Sequence, residues 1–358
     1  MTARNFVFLA IWLSMSTHGA ASEQTGPVER LQPELDQILS SNARLEKVAT
    51  GPGFKWTEGP VWMPAGFLLF AEIPSNSIYK WTPDGHLTIF MQPSGYTGTA
   101  PYGGPEPGSN GMTVDARGRL TVAGHAKRSV WRLETSNQQR YWQENAPITV
   151  LAETYKGKRL NSPNDLVYKS DGSLYFTDPP YGLRTQSDSD PEKQLQMNGV
   201  YRLRGALQQP AVAPPTEANL QLLTTDWPRP NGIAFSPDEK FLYVNNSGDK
   251  KIWMRYPVKA DGTLGPGTVF YDASADQAPG GPDGMKVDVR GNVYSTGPGG
   301  IWIFSPAGKH LGTIRTPEKA GNLAFGDADR KTLYITASTT VYRVRVNVAG
   351  LSLSDRKP

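Results

Sequence analysis

Six side chains with oxygen donors recur along the chain at the same place in a repeated sequence pattern. Each precedes an apolar stretch that predicts a β-strand, and most are followed by Gly. They are Glu58, Asn110, Asn164, Asn231, Asp283 and Asn322. If the repeats are equivalent structural units, these side chains form one ring. A ring of oxygen donors that includes two carboxylates suits a hard divalent cation.

A purely structural origin of this pattern is the alternative. Asn-Gly and Asp-Gly pairs are common in tight turns, so any one of them alone indicates only a turn. Glu58, however, is not a turn-forming residue, and it occupies the position that Asn or Asp takes in the other repeats. The mixture of Glu, Asn and Asp therefore favours cation binding. Asn322 is the weakest member, because no Gly follows it and its spacing is the shortest.

The repeat around these residues predicts an all-β fold, a six-bladed β-propeller with a central metal-binding channel. A strand, a turn with Gly and an apolar-aromatic strand recur about every 40 to 67 residues, near the repeat length of propeller blades. Residues 44–50 are expected to supply the outer strand that closes the last blade. A tandem β-sandwich is the alternative, but sandwiches do not repeat one anchor residue six times.

Five tryptophans fall in predicted strands and are expected in the core between blades. They are Trp56, Trp62, Trp131, Trp253 and Trp302. Three insertions interrupt the repeat, over residues 92–109, 178–197 and 205–217. The first two adjoin ring residues and are expected to wall the channel mouth, whereas the third is expected to form a surface bulge.

The composition excludes several classes of function. The chain is 38% hydrophobic and 20% charged, with a formal charge of +4. Its Lys and Arg residues are scattered, so no nucleic-acid partner is expected. The absence of Cys excludes a thiol nucleophile and a thiolate metal site. Neither a Gly-x-Ser-x-Gly nor a His-Glu-x-x-His motif occurs.

The N-terminus has the pattern of a secretory signal peptide. Arg4 precedes an apolar stretch that is too short to span a bilayer, and small residues follow at Gly19-Ala20-Ala21. We expect export to the periplasm or the medium, and no membrane association of the mature chain. The predicted organisation is a signal peptide over residues 1–21, an N-terminal extension over 22–39, a propeller over 40–350 and a tail over 351–358. A short helix is expected over residues 33–41.

Four motifs together resemble those of the gluconolactonase–regucalcin family of six-bladed propellers. They are Glu58-Gly-Pro, Ser162-Pro-Asn-Asp, Pro230-Asn-Gly and Pro282-Asp-Gly-Met, and the resemblance spans roughly residues 40–345. In that family the matching Glu, two Asn and Asp bind the catalytic metal. The resemblance therefore implies Glu58, Asn164, Asn231 and Asp283 as metal ligands. Regucalcin-type members have an Arg where this chain has Ser162, so the sugar contacts there are expected to differ.

The resemblance implies an esterase that opens a sugar lactone by attack of water on a metal-polarised carbonyl. Oxygen-only ligands favour Ca²⁺, with Mg²⁺ or Mn²⁺ as alternatives and Zn²⁺ less favoured. Asp283 is the proton acceptor that the family implies. His125, which resembles a mouth-lining His of the bacterial branch, is the alternative base.

Four residues are candidates for substrate binding: Asn110, His125, Asp165 and Tyr181. Asp165 follows a predicted ligand and could support it, while Tyr181 could cap the substrate. The expected partner is a small-molecule lactone, and the expected state is a monomer or a small homo-oligomer. Two alternatives stay open: another lactonase or a phosphotriesterase on the same metal site, or a non-catalytic propeller that binds sugar or protein.

Overall fold

Six antiparallel sheets form the blades of a propeller, as predicted. A computed structural model describes residues 24–25, 28–134 and 146–355. The predicted signal peptide over residues 1–21 lies outside these residues, as does the end of the predicted tail. No helix in the described ranges is both long and apolar enough to cross a membrane.

Each blade has four strands that follow one another from the channel outwards. Blade 1 consists of Thr57–Met63, Phe67–Glu72, Ser77–Trp81 and Leu87–Met91. Blade 2 consists of Ser109–Val114, Leu120–Gly124, Ser129–Leu133 and Ile148–Ala152. Blade 3 consists of Leu166–Tyr168, Leu174–Asp178, Gly199–Leu203 and Leu220–Thr224. Blade 4 consists of Pro230–Phe235, Phe241–Asn246, Ile252–Pro257 and Thr268–Asp272. Blade 5 consists of Met285–Val287, Val293–Gly297, Gly300–Phe304 and His310–Arg315. Blade 6 consists of Ala320–Gly326, Thr332–Ala337, Thr340–Arg345 and Leu45–Thr50.

The ring of blades is closed by a strand from the other end of the chain. Leu45–Thr50 pairs antiparallel with Thr340–Arg345, which confirms the predicted closing strand. Arg343 Nε donates a hydrogen bond to Glu46 Oε2 across this pair at 2.8 Å. The closing strand thereby joins segments almost 300 residues apart, and it supplies the fourth strand of blade 6.

The predicted N-terminal extension also belongs to the sheets. Val28–Arg30 adds a fifth strand to blade 5, and Gln24–Thr25 pairs with the closing strand. The helix expected over residues 33–41 is a 3₁₀ helix over Pro33–Gln37. The remaining elements are two short 3₁₀ helices and one small hairpin. They are Glu217–Asn219, Leu353–Asp355, and the strands Thr154–Tyr155 and Lys158–Arg159.

The hydrophobic core is divided among the six interfaces between neighbouring blades. Side chains alternate between the two faces of a strand, and both faces of each blade are covered by a neighbour. In blade 1, Leu68 and Phe70 pack toward blade 6, whereas Leu69 and Ala71 pack toward blade 2. This explains the continuous apolar run in that strand. Trp131 and Trp253 are fully buried at such interfaces, as predicted.

The third insertion is mostly exposed, as expected for a surface bulge, and it also packs against blade 2. Arg132 is fully buried and donates hydrogen bonds to the carbonyl oxygens of Ala206 and Gln209. Arg119 donates to the carbonyl of Leu207. Two buried guanidinium groups therefore find in the backbone of this insertion the acceptors that their burial requires.

Candidate active site

Four of the ring residues sit on irregularities of the innermost strands, whereas Asn164 and Asp283 lie just before theirs. In blades 1, 2, 4 and 6 the pairing of the first two strands shifts register at the ring residue. Such bulges turn a side chain away from the regular alternation of a strand. The Asn-Gly pairs thus belong to these strands, and they are not the tight turns that were the alternative interpretation.

The glycine after a ring residue lets neighbouring blades approach closely at the channel. A Cβ on Gly59 would lie 2.0 Å from the carbonyl oxygen of Asn110, and one on Gly232 would lie 2.0 Å from that of Asp283. A Cβ on Gly111 would lie 2.4 Å from the carbonyl oxygen of Asn164. No side chain fits at these distances, so the repeated glycine is required by the packing of one blade on the next.

A cavity of about 450 Å³ opens at this end of the channel. Its wall includes five of the six ring residues. They are Glu58, Asn110, Asn164, Asn231 and Asp283. Tyr181 also lines it, as expected for a residue that caps a substrate. The volume suits a small molecule, and most of the lining side chains are polar or charged.

Glu58 is a buried carboxylate held by two hydrogen bonds. Its Oε2 accepts from the backbone N–H of Gly59 at 2.6 Å and from Asn322 Nδ2 at 3.0 Å. Burial nevertheless raises the pKa of Glu58 to about 8, and the negative charges of Asp165 and Glu106 act in the same direction. Glu58 therefore lacks the positive partner that would stabilise its charged form.

Asp283 is partly exposed into the cavity near Glu58. Burial raises its pKa well above the ordinary range, and the charge of Glu58 raises it further, while Lys319 opposes the shift. Two carboxylates that disfavour each other's charge are stabilised when a cation lies between them. In the protein alone, at least one of the two is expected to hold a proton.

The amide nitrogens of three ring asparagines contact side chains that are not part of the ring. Asn110 Nδ2 and Asn164 Nδ2 lie 3.0 and 3.3 Å from His125 Nε2. Asn231 Nδ2 donates to Ser247 Oγ at 3.1 Å. The Oδ1 atoms of Asn110 and Asn231 are buried without a hydrogen-bond partner in the described part of the chain. Buried carbonyl oxygens without partners are costly unless a ligand satisfies them.

These donors fit a divalent cation. The described residues contain no group of three or more His, Cys, Asp or Glu side chains suited to a metal. Two carboxylates must therefore be completed by neutral oxygens, and the unpartnered Asn231 Oδ1 is such a donor. Oxygen ligands carrying about two negative charges are what Ca²⁺ and Mg²⁺ prefer.

His125 lies behind the ring and not at the channel mouth. Its side chain is fully buried, and it does not line the cavity. Its Nδ1 is 2.7 Å from Glu106 Oε2, and its Nε2 contacts the amides of Asn110 and Asn164. In this position it cannot touch a substrate. The expectation of a mouth-lining His is therefore not met in this structure.

Asp165 and Asn322 support the ring from outside the cavity. Asp165 is buried, and its Oδ2 lies 3.7 Å from Lys286 Nζ. Burial raises the pKa of Asp165. Asn322 uses both ends of its amide, donating to Glu58 and accepting from the N–H of Leu323. Neither side chain is among the cavity-lining residues.

The comparison with known proteins follows this geometry. A family described as the SMP-30/Gluconolactonase/LRE-like region matches residues 56–339. The chain belongs to this family. The resemblance found in the sequence motifs is thereby confirmed.

Relatives and solved structures of this family cover most of the chain. The gluconolactonase of Zymomonas mobilis is 40% identical over 335 residues, which cover 91% of this chain and 87% of that protein. A solved gluconolactonase structure from Xanthomonas campestris has a TM-score of 0.72 and 30% identity, over 92% of this chain and 98% of that one. The calcium-binding protein regucalcin from Agrobacterium tumefaciens has a TM-score of 0.63 at 18% identity, over 85% and 94% of the two chains. This last likeness shows the fold alone.

The two predicted mouth insertions meet above the cavity of this family member. Gln186 Nε2 donates to Glu106 Oε1 at 2.9 Å and to the carbonyl of Tyr181 at 3.1 Å. Tyr102 donates its hydroxyl to the carbonyl of Gly182. Ser162 binds the second insertion from below, since its Oγ accepts from the N–H of Gly182 at 2.8 Å. Glu106, Tyr181 and Gln186 line the cavity, so both insertions wall the mouth as expected.

Several lining residues were not predicted from the sequence. Trp56 packs against the core cluster between blades 1 and 2, as predicted, but it also lines the cavity, and Lys319 Nζ lies 5.2 Å from its ring centroid. It precedes the inner strand of blade 1, so the strand alternation does not apply to it. Glu106 and Ser247 were also missed. The sequence signal that could have identified Ser247 is its position directly after the second strand of blade 4. His125 occupies the same position after the second strand of blade 2.

A second cavity of about 510 Å³ lies at the opposite end of the inner strands. Its wall is mainly apolar and includes Val61, Leu166 and Phe235, together with the C-terminal segment around Leu351. Neither Glu58 nor Asp283 reaches it. Although it is the larger of the two cavities, none of the predicted metal ligands lines it.

Proposed function

We propose that the protein hydrolyses a sugar lactone with the help of one divalent cation, and that this cation is Ca²⁺. The observation that carries the proposal is the channel wall, where Glu58 and Asp283 face one cavity together with the unpartnered Oδ1 of Asn231. The 40% identical gluconolactonase of Zymomonas mobilis supports the reaction class. The metal ligands would be Glu58, Asn164, Asn231 and Asp283.

The cation would supply Lewis-acid activation of the ester carbonyl and charge stabilisation for the oxyanion. Ca²⁺ is preferred to Zn²⁺ because all four donors are oxygens and two of them are neutral amides. Ca²⁺ also tolerates the irregular geometry that strand bulges impose better than Mg²⁺, which demands a near-ideal octahedron.

Asp283 is the better placed of the two candidate bases. Its carboxylate lines the cavity, whereas the His125 side chain is fully buried behind the ring and does not line the cavity. Asp283 accepts a proton from the attacking water as the bond from the water oxygen to the carbonyl carbon forms. The bond from that carbon to the ring oxygen then breaks, and Asp283 returns the proton to this leaving oxygen. The product is the open-chain hydroxy acid.

The rest of the wall suits a polyhydroxylated substrate. Glu106, Gln186 and Lys251 offer charged and amide groups to hydroxyls, while Trp56 and Tyr181 offer aromatic surface to the sugar ring. The Tyr181 hydroxyl lies 2.9 Å from Ser247 Oγ, which also accepts a hydrogen bond from Asn231 Nδ2. Ser247 thereby holds the Tyr181 side chain next to Asn231.

Metal analysis of the purified protein, followed by a substrate panel, tests this proposal. The panel contains sugar lactones, aliphatic lactones and a phosphotriester, each assayed after chelation and after return of Ca²⁺, Mg²⁺, Mn²⁺ or Zn²⁺. We expect acid release from sugar lactones that disappears with the chelator and returns best with Ca²⁺. His86→Ala, at an exposed surface site, is the matched control. Lactone hydrolysis that survives both a strong chelator and Glu58→Ala would contradict the proposed metal mechanism.

A further inference from the structure

The ring asparagines are oriented by acceptors at the ends of second strands. Ser109 pairs with Gly124 in blade 2, and Pro230 pairs with Asn246 in blade 4. The residue after each partner is the acceptor for an amide, namely His125 in blade 2 and Ser247 in blade 4. The two blades thus repeat one arrangement, a ring Asn beside an acceptor on the adjacent strand.

The Nε2 atom of His125 contacts two side-chain amides. Its Nε2 lies 3.0 Å from Asn110 Nδ2 and 3.3 Å from Asn164 Nδ2. A neutral imidazole nitrogen without a proton can accept these donors, whereas a protonated one would have to face the amide oxygens instead. The tautomer of His125 therefore decides whether the two oxygens point toward the channel or away from it.

Glu106 favours the same tautomer. Its Oε2 lies 2.7 Å from His125 Nδ1, which is fully buried and makes no aligned hydrogen bond in the described part of the chain. A carboxylate at this distance favours a proton on Nδ1, because an unprotonated Nδ1 would place two lone pairs against each other. The proton on Nδ1 leaves Nε2 of the neutral ring as an acceptor. The second Glu106 oxygen accepts from Gln186, so the carboxylate itself is fixed by the mouth insertion.

We propose that Glu106 and His125 are positioning residues that turn the amide oxygens of Asn110 and Asn164 into the channel before any cation binds. This inference rests on the proposed function and adds to it the device that orients one predicted ligand and one predicted substrate contact. It assigns His125 neither to the metal nor to proton transfer. It also connects the first mouth insertion to the ring of oxygen donors. Glu106 lies in that insertion and acts, through His125, on two ring asparagines.

Nitrogen NMR of the full mature chain tests the tautomer directly. The sequence has only four His, so a sample labelled with ¹⁵N-histidine gives few signals, and His125→Phe identifies the signal of His125. We expect the coupling pattern of a neutral ring with its proton on Nδ1, both in the chelated protein and with Ca²⁺. A ring protonated on Nε2, or on both nitrogens, would overturn the proposal.

Calcium titration calorimetry tests the consequence. His125→Phe keeps a ring of similar size and removes both nitrogens, and Glu106→Ala removes the group that fixes the tautomer. We expect each to weaken Ca²⁺ binding about 10- to 100-fold, the usual effect of losing a group that orients a metal ligand. In Glu106→Ala the NMR pattern should shift toward a mixture of tautomers, a change that a merely structural role would not produce.

A control separates positioning from the substitution itself. His86→Phe repeats the aromatic substitution at an exposed site, with no expected effect on Ca²⁺. Unchanged Ca²⁺ affinity in a folded His125→Phe would overturn the proposal. If the unaltered protein bound no divalent cation, the proposed function would fail, while the tautomer measurement would still decide the amide orientation.

Discussion

Glu58 and Asp283 are each buried enough that the charge of one opposes ionisation of the other, yet the cavity they share contains several further oxygen donors. A purely structural role does not explain this arrangement, because two like charges near each other destabilise a fold. Their proximity has a cost that only a bound cation, or retained protons, can offset. The experiments at this scale therefore concern charge.

Asp283→Asn separates metal binding from proton transfer. The substitution keeps an oxygen donor of similar size but removes the charge and the basicity. We expect weaker Ca²⁺ binding that excess Ca²⁺ overcomes, and a kcat that stays about 10²- to 10⁴-fold below the unaltered protein, the usual contribution of a general base. Lactone hydrolysis at saturating Ca²⁺, measured beside calorimetric affinity, checks both. A kcat that recovers fully would reject Asp283 as the proton acceptor.

Asn322→Ala tests the hydrogen bond that supports Glu58, and we expect an intermediate effect. Asn322 is not a predicted ligand, but its amide donates to Glu58 Oε2 at 3.0 Å. Its removal should weaken Ca²⁺ binding less than Glu58→Ala does, because the negative charge remains. Asn322→Ala is therefore expected to fall between Glu58→Ala and the unaltered protein, and it is not a neutral control.

The raised pKa of Glu58 predicts a pH-dependent gain in stability from Ca²⁺. Its pKa is about 8 in the metal-free folded chain, against 4.5 for an ordinary Glu. Between these values the folded state holds a proton that the unfolded state has released, so the stability of the metal-free protein falls as pH rises. A cation that must displace this proton binds more tightly at higher pH.

Thermal unfolding with chelator and with excess Ca²⁺ measures this effect. We expect the difference in Tm to widen from about pH 6 to about pH 8.5, and to lose part of this pH dependence in Glu58→Gln, because the pKa of Asp283 is raised as well. Burial also raises the pKa of Asp178, to about 7, but Asp178 titrates with and without Ca²⁺ and largely cancels in the difference. A Tm difference that is the same at every pH would contradict the assignment of Glu58 as a ligand.

The predictable part of the site is the part encoded in the repeat. Glu58, Asn231 and Asp283 each occupy the same position in their blades, so one pattern located them all. Glu106 belongs to an insertion without periodicity, and its contact with His125 depends on how that insertion folds over the channel. No local pattern specifies such a contact, which is why sequence reasoning placed His125 at the mouth and missed its partner.

At the scale of the strand, the glycines beside the ring determine how closely the blades approach. Gly232 is the sharpest case, since a Cβ there would lie 2.0 Å from the carbonyl oxygen of Asp283 and 2.9 Å from Asn245 Nδ2. The backbone must shift to accept any side chain. Because that shift moves the segment that carries Asp283, packing and catalysis are coupled at this position.

Gly232→Ala is therefore expected to destabilise the fold by about 1 to 3 kcal/mol, as overpacking of a close contact does, and to reduce lactone hydrolysis as well. Chemical denaturation and steady-state kinetics measure the two effects. Gly265→Ala is the matched control, because a Cβ there makes only ordinary contacts with the Pro257 ring at 3.4 Å and beyond. Equal stability of the two variants would show that the blades can adjust at the channel without cost.

The positions of most strands could be predicted, because each strand carries its own sequence pattern. Which strands pair with each other could be predicted only in part. The closing strand Leu45–Thr50 was predicted from the need to complete the last blade. The fifth strands contributed by Gln24–Thr25 and Val28–Arg30 were not, since they are too short to show an alternating pattern. The place of Trp56 in the cavity wall was missed for a related reason, because Trp56 stands just outside the strand whose alternation was used to orient it.

For the whole molecule, closure joins the two ends of the chain into one cooperative unit. Leu45–Thr50 pairs along its length with Thr340–Arg345, and Ala49 packs in the cluster between blades 6 and 1. The additional N-terminal strands lie outside this closure, on the outer edges of blades 5 and 6. A blade without its fourth strand would expose an unpaired edge and the apolar side chains beneath it.

Truncation from the N-terminus tests this order of importance. A chain that begins at Ser22, the proposed mature N-terminus after export, should fold and bind Ca²⁺ fully. A chain that begins at Gln32 loses only the two edge strands and should keep its activity with a modestly lower Tm. A chain that begins at Gly51 loses the closing strand and should be insoluble or unfolded, because blade 6 can no longer close on blade 1. Circular dichroism and size-exclusion chromatography check the three chains. A folded and active protein beginning at Gly51 would show that the propeller closes through side-chain packing alone.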